Sequence, residues 1–404
     1  MRDGLGRGWK RVRSGSPLLS LVAGIVLVLS FAGCSSHVSA LDVVARDSAG
    51  VRIVTTTVTA GGKVPEYRLA RRPFILVGET LGDPHHELYR VTDAKLHRDG
   101  RLLVANAGEE LLVYSSEGQY LSTIGRQGAG PGEFTRLWNV FSGPDGEVTT
   151  FDAATRRLAT FRIASGALVG ERTLDVPLIG LPNGIGLLDD GIAVGFAATH
   201  NVVDALSSDT SRAPLVRFGL HGAVLDTVDL FPGSVFRRTP AGTQPVVFSP
   251  GHLSATSADH VYAGWTGRYQ ISVYDNHGTL VRIVRTSLSG GLVTDAMKDA
   301  AGRVYREGGL AQQKVFADSL PAFSKLLVTR DNRLWVRRYD APGSHERTWH
   351  VFDPSGNLEG ILATPPQLRV TQFGGDYLVG VWTDELDVES VRAYRLLAPR
   401  YRAN

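Results

Sequence analysis

His85 and His86 stand side by side between Asp83 and Glu87, and His252 and His200 lie further along the chain. Imidazole and carboxylate are good zinc ligands, so His85, His86 and His252 form a weak candidate metal set. Adjacent side chains of an extended segment point to opposite sides, however, so one ion cannot easily take both rings. The alternative is that these histidines are solvated or help to form a turn. Calcium would need about six to eight converging oxygens, and Asn139 and Asn183 alone do not supply them. No Gly-x-Ser-x-Gly elbow is present, which argues against a conventional serine hydrolase. The glycine run from Gly125 to Gly132 is rich enough for a phosphate loop, but Glu133 and Phe134 follow it. A phosphate loop needs Lys-Ser/Thr there and a helix behind it, whereas the next segment reads as a strand. The glycines are better explained as a tight crossing between elements.

The amino terminus reads as a targeting segment. A basic stretch ending at Arg13 precedes the apolar run Leu18–Phe31, about 14 residues against the roughly 20 that span a bilayer. Phe31-Ala32-Gly33-Cys34 follows and resembles the bacterial lipobox. That resemblance implies cleavage before Cys34, lipid on its thiol and amine, and attachment to the cell envelope. Ser35 after the cysteine, by resemblance to Gram-negative sorting, favours the outer membrane. The alternative is a plain membrane anchor with an incidental cysteine. Residues 1–33 are thus expected as a leader, 34–64 as a tether and N-terminal strand, and 65–399 as the folded domain. Cys34 is the single cysteine, so lipidation leaves the domain without disulfide, thiolate nucleophile or thiolate metal ligand. The formal charge is +3, but Arg2, Arg7, Lys10, Arg11 and Arg13 against Asp3 lie in the leader, and the remainder carries −1. A near-neutral domain lacks the basic footprint of a nucleic-acid binder. The paired arginines 71–72, 237–238 and 337–338 read as solvated strand edges.

Glycine is abundant, at 46 residues, and an apolar strand followed by a polar turn closed by glycine recurs along the chain. Copies end at Gly118, Gly166, Gly222, Gly278 and Gly356. A second turn lies upstream of each of these five copies, and a sixth follows the last, at Arg98-Asp99-Gly100, Pro144-Asp145-Gly146, Asp189-Asp190-Gly191, Ala258-Asp259-His260, Asp331-Asn332-Arg333 and Gly374-Gly375-Asp376. Their compact spacing of about 45 residues is the length of one four-stranded blade. The pattern predicts an all-β, six-bladed β-propeller. The sixth unit has strands at Leu368–Gln372, Tyr377–Trp382 and Val391–Leu397 and no fourth, while Val51–Val58 and Tyr67–Val77 are orphans. An N-terminal strand is therefore expected to complete blade six and remove its exposed edge.

Two insertions interrupt the ring. Residues 232–250 read as a long loop. Residues 289–321, between blades four and five, hold a helical pattern from Asp295 to Glu307 with Thr294 as N-cap, and a second short helix is expected over Ala311–Asp318. Decoration of the rim and a lid over the channel are both open readings of this insertion.

Gly125-Arg126-Gln127-Gly128-Ala129-Gly130-Pro131-Gly132-Glu133-Phe134, with Asp152 and Arg156 or Arg157 beyond it, resembles the glycine-rich link of NHL-type propellers. Residues 45–397 as a whole are similar to bacterial six-bladed propeller lipoproteins related to NHL proteins. The resemblance implies a ligand site at the central channel, near the starts of the inner strands. Tyr89, Arg90, Trp138, Asn139, Asn183, His252, Lys325 and Gln367 are the candidate lining residues. The expected activity is a ligand- or protein-binding module, monomeric, without a cofactor, and attached to the membrane only through its N-terminal lipid. The partner is an unidentified protein or small molecule. The alternative is a metal-dependent hydrolase or lyase.

Overall fold

The computed structural model describes residues 41–59, 63–79, 82–144, 146–176, 185–197, 212–233, 235–239, 242–307, 315–341 and 344–401. Residues Ser39–Asn404 form one compact unit. Its strands assemble into six antiparallel sheets arranged as the blades of a propeller. Blade one is Asp93–Leu96, Leu102–Asn106, Glu110–Tyr114 and Tyr120–Ile124. Blade two is Leu137–Ser142, Glu147–Asp152, Arg157–Arg162 and Ala167–Thr173. Blade three is Ile185–Leu187, Ala193–Phe196, Arg212–Phe218 and Val224–Pro232. Blade four is His252–Thr256, His260–Trp265, Gln270–Asp275 and Leu280–Thr286. Blade five is Phe323–Val328, Leu334–Arg338, Arg347–Phe352 and Leu358–Thr364. Blade six is Leu368–Phe373, Tyr377–Thr383, Glu389–Arg400 and, from the other end of the chain, Ile75–Val77.

Strand alternation explains how a sheet can be apolar on both faces. Leu102 and Val104 pack toward blade six, with Val379, Val381 and Val391. Leu103 and Ala105, between and beside them, pack toward blade two, with Leu137, Val140 and Val148. Four further clusters fill the seams between blades two and three, three and four, four and five, and five and six. The outer strands are wet: Ala167–Thr173 is exposed at nearly every position. In the seam of blades five and six, Trp335 stacks on Phe373 at 3.8 Å with 7° between the planes, and Tyr67 leans on Trp335 at 5.5 Å.

The N-terminal segment closes the ring in three stages. Val51–Val58 pairs in parallel with Leu280–Thr286, and Leu41–Ser48 folds back outside it, so a hairpin widens blade four. Glu66–Leu69 then pairs in parallel with the outer strand of blade five and antiparallel with Glu389–Arg400. Finally Ile75–Val77 pairs with Glu389–Arg400 and supplies the missing fourth strand of blade six. The expected single strand Tyr67–Val77 is thus two strands. The break falls at Arg71-Arg72-Pro73, where proline has no N–H to give; the N–H groups of Ala70 and Phe74 on either side still bond to Arg395 and Ala393.

The insertions differ in part from the reading above. The helix Asp295–Glu307 forms, and the Thr294 hydroxyl accepts from the Met297 N–H at 3.3 Å. Residues 236–247, expected as loop, are a hairpin of Phe236–Thr239 and Gly242–Val247. Val315–Phe316, expected as helix, is a short strand parallel to Val246–Val247. Each insertion supplies the partner for the other's backbone, a long-range pairing that no local pattern records. Residues 311–314 of the expected second helix lie outside the described residues.

Val77 is 1 % exposed in the seam of blades six and one. Val77→Asp would bury an unpaired carboxylate there and is expected to cost about 3 kcal/mol or more, read by urea denaturation. Amide exchange should show Glu389–Arg400 losing protection first.

Candidate functional site

The six inner strands surround a central cavity of about 500 Å³. Asn139 and Lys325 line it. The other expected lining residues that the structure describes are placed elsewhere. Trp138 turns into the seam of blades two and three, with Arg136 over its ring at 5.2 Å. Tyr89 is 66 % exposed on the loop before blade one, with Arg90 beside it at 5.9 Å. His252 is buried in the seam of blades three and four, its ring 4.5 Å from Phe196, and desolvation pushes it down to about 4 although the Pro232 carbonyl accepts from it. Gln367 gives its carbonyl to the Thr383 N–H at 3.1 Å and does not reach the cavity. Asn183 and His200 lie outside the described residues.

The candidate metal set is not brought together. Pro84–His86 is a single 3₁₀ turn, capped by the Asp83 carboxylate. His85 stacks on Tyr120 at 3.7 Å and His86 meets Tyr114 edge-on at 5.8 Å. Both rings are therefore held against the outer half of blade one, while His252 lies in the seam of blades three and four, on the opposite side of the ring. Among the described residues no three His, Cys, Asp or Glu side chains are grouped to hold a metal ion.

A charged cluster occupies the channel instead. Asp93 and Lys95 come from blade one, Lys325 from blade five and Arg369 from blade six. Lys95 Nζ lies 3.3 Å from Asp93 and donates to the Thr371 carbonyl. Lys325 Nζ donates to the adjacent Val370 carbonyl at 2.8 Å. A bulge between Val370 and Gln372 interrupts the pairing of this inner strand, and the two lysines meet the strand there. The Arg369 guanidinium donates to the carbonyls of Val91 and Thr92. Asp93 accepts from the Val140 N–H of blade two at 3.0 Å. Gln372 acts as a strand mimic, accepting from Leu96 N–H at 2.7 Å and donating to Leu96 carbonyl at 3.2 Å. The same side chains thus line the channel and tie blades one, two, five and six together.

Electrostatics separate the members of this cluster. Burial pushes the Lys325 ammonium down to about 7, and Arg369, Lys95 and Arg337 push the same way against Asp93 alone. Burial also lowers Arg369, but a guanidinium starts so high that it stays charged. Asp189, at the turn end of the channel, takes both terminal nitrogens of Arg330 and lies 4.0 Å from Arg98, so a partly exposed ionic strap joins blades one, three and five. Among the lining residues Lys95, Arg98, Lys325, Arg330 and Arg369 face only Asp93, Asp189 and Asp331. The channel is cationic in a chain whose residues 34–404 carry a net charge of −1.

The glycine-rich link is built for structure. Asp152 Oδ2 accepts from the N–H groups of Thr135 and Arg136, both at 2.7 Å, and Oδ1 from Ala154 and Thr155. Arg157 donates to the carbonyls of Ala129 and Glu133. The Glu133 carboxylate folds back onto the Gly130 N–H at 2.9 Å. Gly128 has a φ of +155°, which favours glycine, and a Cβ there would stand 2.1 Å from Glu133 Oε2 and displace that carboxylate. The loop's own carboxylate sits where a phosphate would have to bind.

Asp93, Lys95 and Arg369 are not among the expected lining residues, because Tyr89, Arg90 and Gln367 fall just upstream of the inner strands Asp93–Leu96 and Leu368–Phe373. The usable signal was Asp93-x-Lys95 within a short run otherwise fit for a strand.

A model of a family described as a 6-bladed beta-propeller, DUF5128, matches residues 86–181. The fold is similar to that of a protein described as exported from Bacteroides fragilis, at 13% identity and TM-score 0.51, covering 87% of this chain and 100% of that one. It is also similar to a member of the DUF4221 family from Bacteroides vulgatus, at 10% identity and TM-score 0.52, covering 83% and 99%. No curated protein matches the chain in sequence. These likenesses establish the six-bladed propeller fold.

Two titrations check these assignments. The folded state depresses Lys325 from 10.5 to about 7, so between those values the unfolded chain binds the extra proton and stability rises with pH. Lys325→Met should raise Tm by a few degrees at pH 7 and below, with the gain fading as pH approaches 10.5. For Asp152, burial would raise the carboxyl, but the N–H donors outweigh it and hold it below its ordinary 3.8. Its contribution is present above 3.8 and is lost as pH falls through the lowered folded value. Asp152→Asn should cost about 1–3 kcal/mol at neutral pH, and the variant and parent should converge in strong acid.

Proposed function

We propose that the protein is a binding module held at the bacterial cell envelope by lipid on Cys34, and that its central channel receives a small anionic ligand. The observation that carries this reading is the convergence of Lys95, Lys325 and Arg369, from three blades, in a cavity of about 500 Å³ with Asp93 as their near carboxylate. Ligand pockets fall in the range of about 300–1,000 Å³. In a low-dielectric channel, positive groups attract an anion far more strongly than they do on a surface. Export rests on the leader pattern Leu18–Phe31 and Phe31-Ala32-Gly33-Cys34, and kinship with NHL proteins on the Gly125–Phe134 link with Asp152 and Arg157. The insertions, paired to each other, stand on the rim from which the inner strands of blades four and five begin.

Calorimetric titration of the full chain in detergent, with succinate and with inorganic phosphate as probes, tests the channel. Lys95→Met and Arg369→Met should each weaken the preferred anion by at least about tenfold, the scale of a charged hydrogen bond. Asp189→Asn should strengthen it by freeing two arginines, and added salt should weaken it. Equal binding of a neutral analogue, or affinities indifferent to these substitutions, would remove the channel as the site.

A further inference from the structure

The chain has 43 basic residues, of which only six are lysines: Lys10, Lys63, Lys95, Lys298, Lys314 and Lys325. Two of these six line the channel. Elsewhere the chain supplies positive charge almost entirely as arginine. A guanidinium is permanently protonated, whereas an amine can lose its proton and become a nucleophile. Lysine in the channel therefore offers a chemistry that arginine would forfeit.

The two channel lysines are unlike in their surroundings. Lys95 is paired with Asp93 at 3.3 Å. Asp93 is otherwise committed to the N–H groups of Ala94 and Val140, both at 3.0 Å. Lys325 has no carboxylate within ion-pair distance among the described residues. Its Nζ is oriented by one hydrogen bond, to the Val370 carbonyl at 2.8 Å. The charged groups that face it are Arg369 from blade six, Arg337 from its own blade and Lys95 with Asp93 from blade one, three cations against one anion.

We infer that Lys325 is a carbonyl-capturing amine, which forms a reversible imine with a 2-oxo carboxylate whose acid group lies against Lys95 and Arg369. This rests on the reading of the channel as an anion site. The depressed ammonium, at about 7, leaves a large fraction of the amine neutral at physiological pH, which supports the geometric case. The lone pair of Nζ attacks the carbonyl carbon, forming the C–N bond as the C=O π pair moves to oxygen. The proton shed by nitrogen passes to that oxygen and gives a carbinolamine. The hydroxyl then leaves as water, taking up the proton that nitrogen still carries, as the nitrogen pair forms C=N, and addition of water reverses the sequence. No oxidant or reductant takes part. The product is a covalent but releasable complex, which gives a binding module selectivity for oxo acids over simple carboxylates.

The test is reductive trapping on the full chain in detergent. Glyoxylate is the probe, sodium cyanoborohydride the added hydride source, and peptide mass mapping the readout. Glyoxylate should leave one carboxymethyl group on Lys325 at pH 7.5, in large excess over Lys63 and Lys298, and faster by several hundred-fold than on free N-acetyllysine, roughly the ratio of neutral fractions between an amine near 7 and one at 10.5. The rate should level off above neutral pH at Lys325 while it keeps rising for N-acetyllysine. Lys325→Arg should abolish the label yet retain a glyoxylate-dependent thermal shift, and Lys325→Met should abolish the label as well. Labelling spread evenly over the lysines, or none at Lys325 despite an intact thermal shift, would overturn the imine and leave the channel site standing. Absence of both label and shift would overturn the imine together with the anion reading.

Discussion

A four-stranded sheet whose two faces are both apolar cannot exist alone, and that constraint organises this protein. Leu102 and Val104 need one neighbour while Leu103 and Ala105 need another. Every blade has the same requirement, so the stack can end only by meeting itself. Six seams, each filled by its own apolar cluster, satisfy the condition. The sixth exists because Ile75 and Val77 arrive from the other end of the chain to cover blade six. Burial of such side chains is worth about 1.5–3 kcal/mol each, so the seams carry the fold.

The N-terminal segment does more than supply one strand. Its three pairings fall on blades four, five and six in order. The blades made last in the sequence are thus gripped by the part made first. The inner wall repeats the closure in polar form. Gln372 and Thr371 bond to Leu96 and Ala94 at the seam of blades six and one, and Arg369 reaches the carbonyls of the strand's approach. Buried polar groups of this kind stabilise a fold only when their partners are in place, so the channel lining and the ring support each other.

Concentrating the seams' apolar bulk away from the axis leaves the centre open to polar chemistry. Inner-strand edges have backbone carbonyls to spare, and these hold Lys95, Lys325 and Arg369 in a space where carboxylates are few. Lys95 is paired with Asp93, whereas Lys325 and Arg369 are held by backbone acceptors, which leaves the channel a net attraction for a ligand anion. The strap of Asp189 with Arg98 and Arg330 neutralises only the turn end.

Local pattern determined much of this protein. Alternation, turn glycines and the upstream turns were enough for six blades, for an N-terminal strand in the last of them, and for the Thr294-capped helix. Those features depend on residues a few positions apart, and they read directly from the order of side chains. Tertiary structure decided the rest. Whether His252 meets a ligand or Phe196, whether Trp138 faces the channel or a seam, and whether Arg369 meets the carbonyls of Val91 and Thr92 all turn on register, where one residue reverses the facing. The partners are also remote: Thr371 and Ala94 are 277 residues apart. The pairing of the two insertions and the sharing of the N-terminal strands among three blades have the same cause. Each is a match between backbone edges that come together only when the ring has closed.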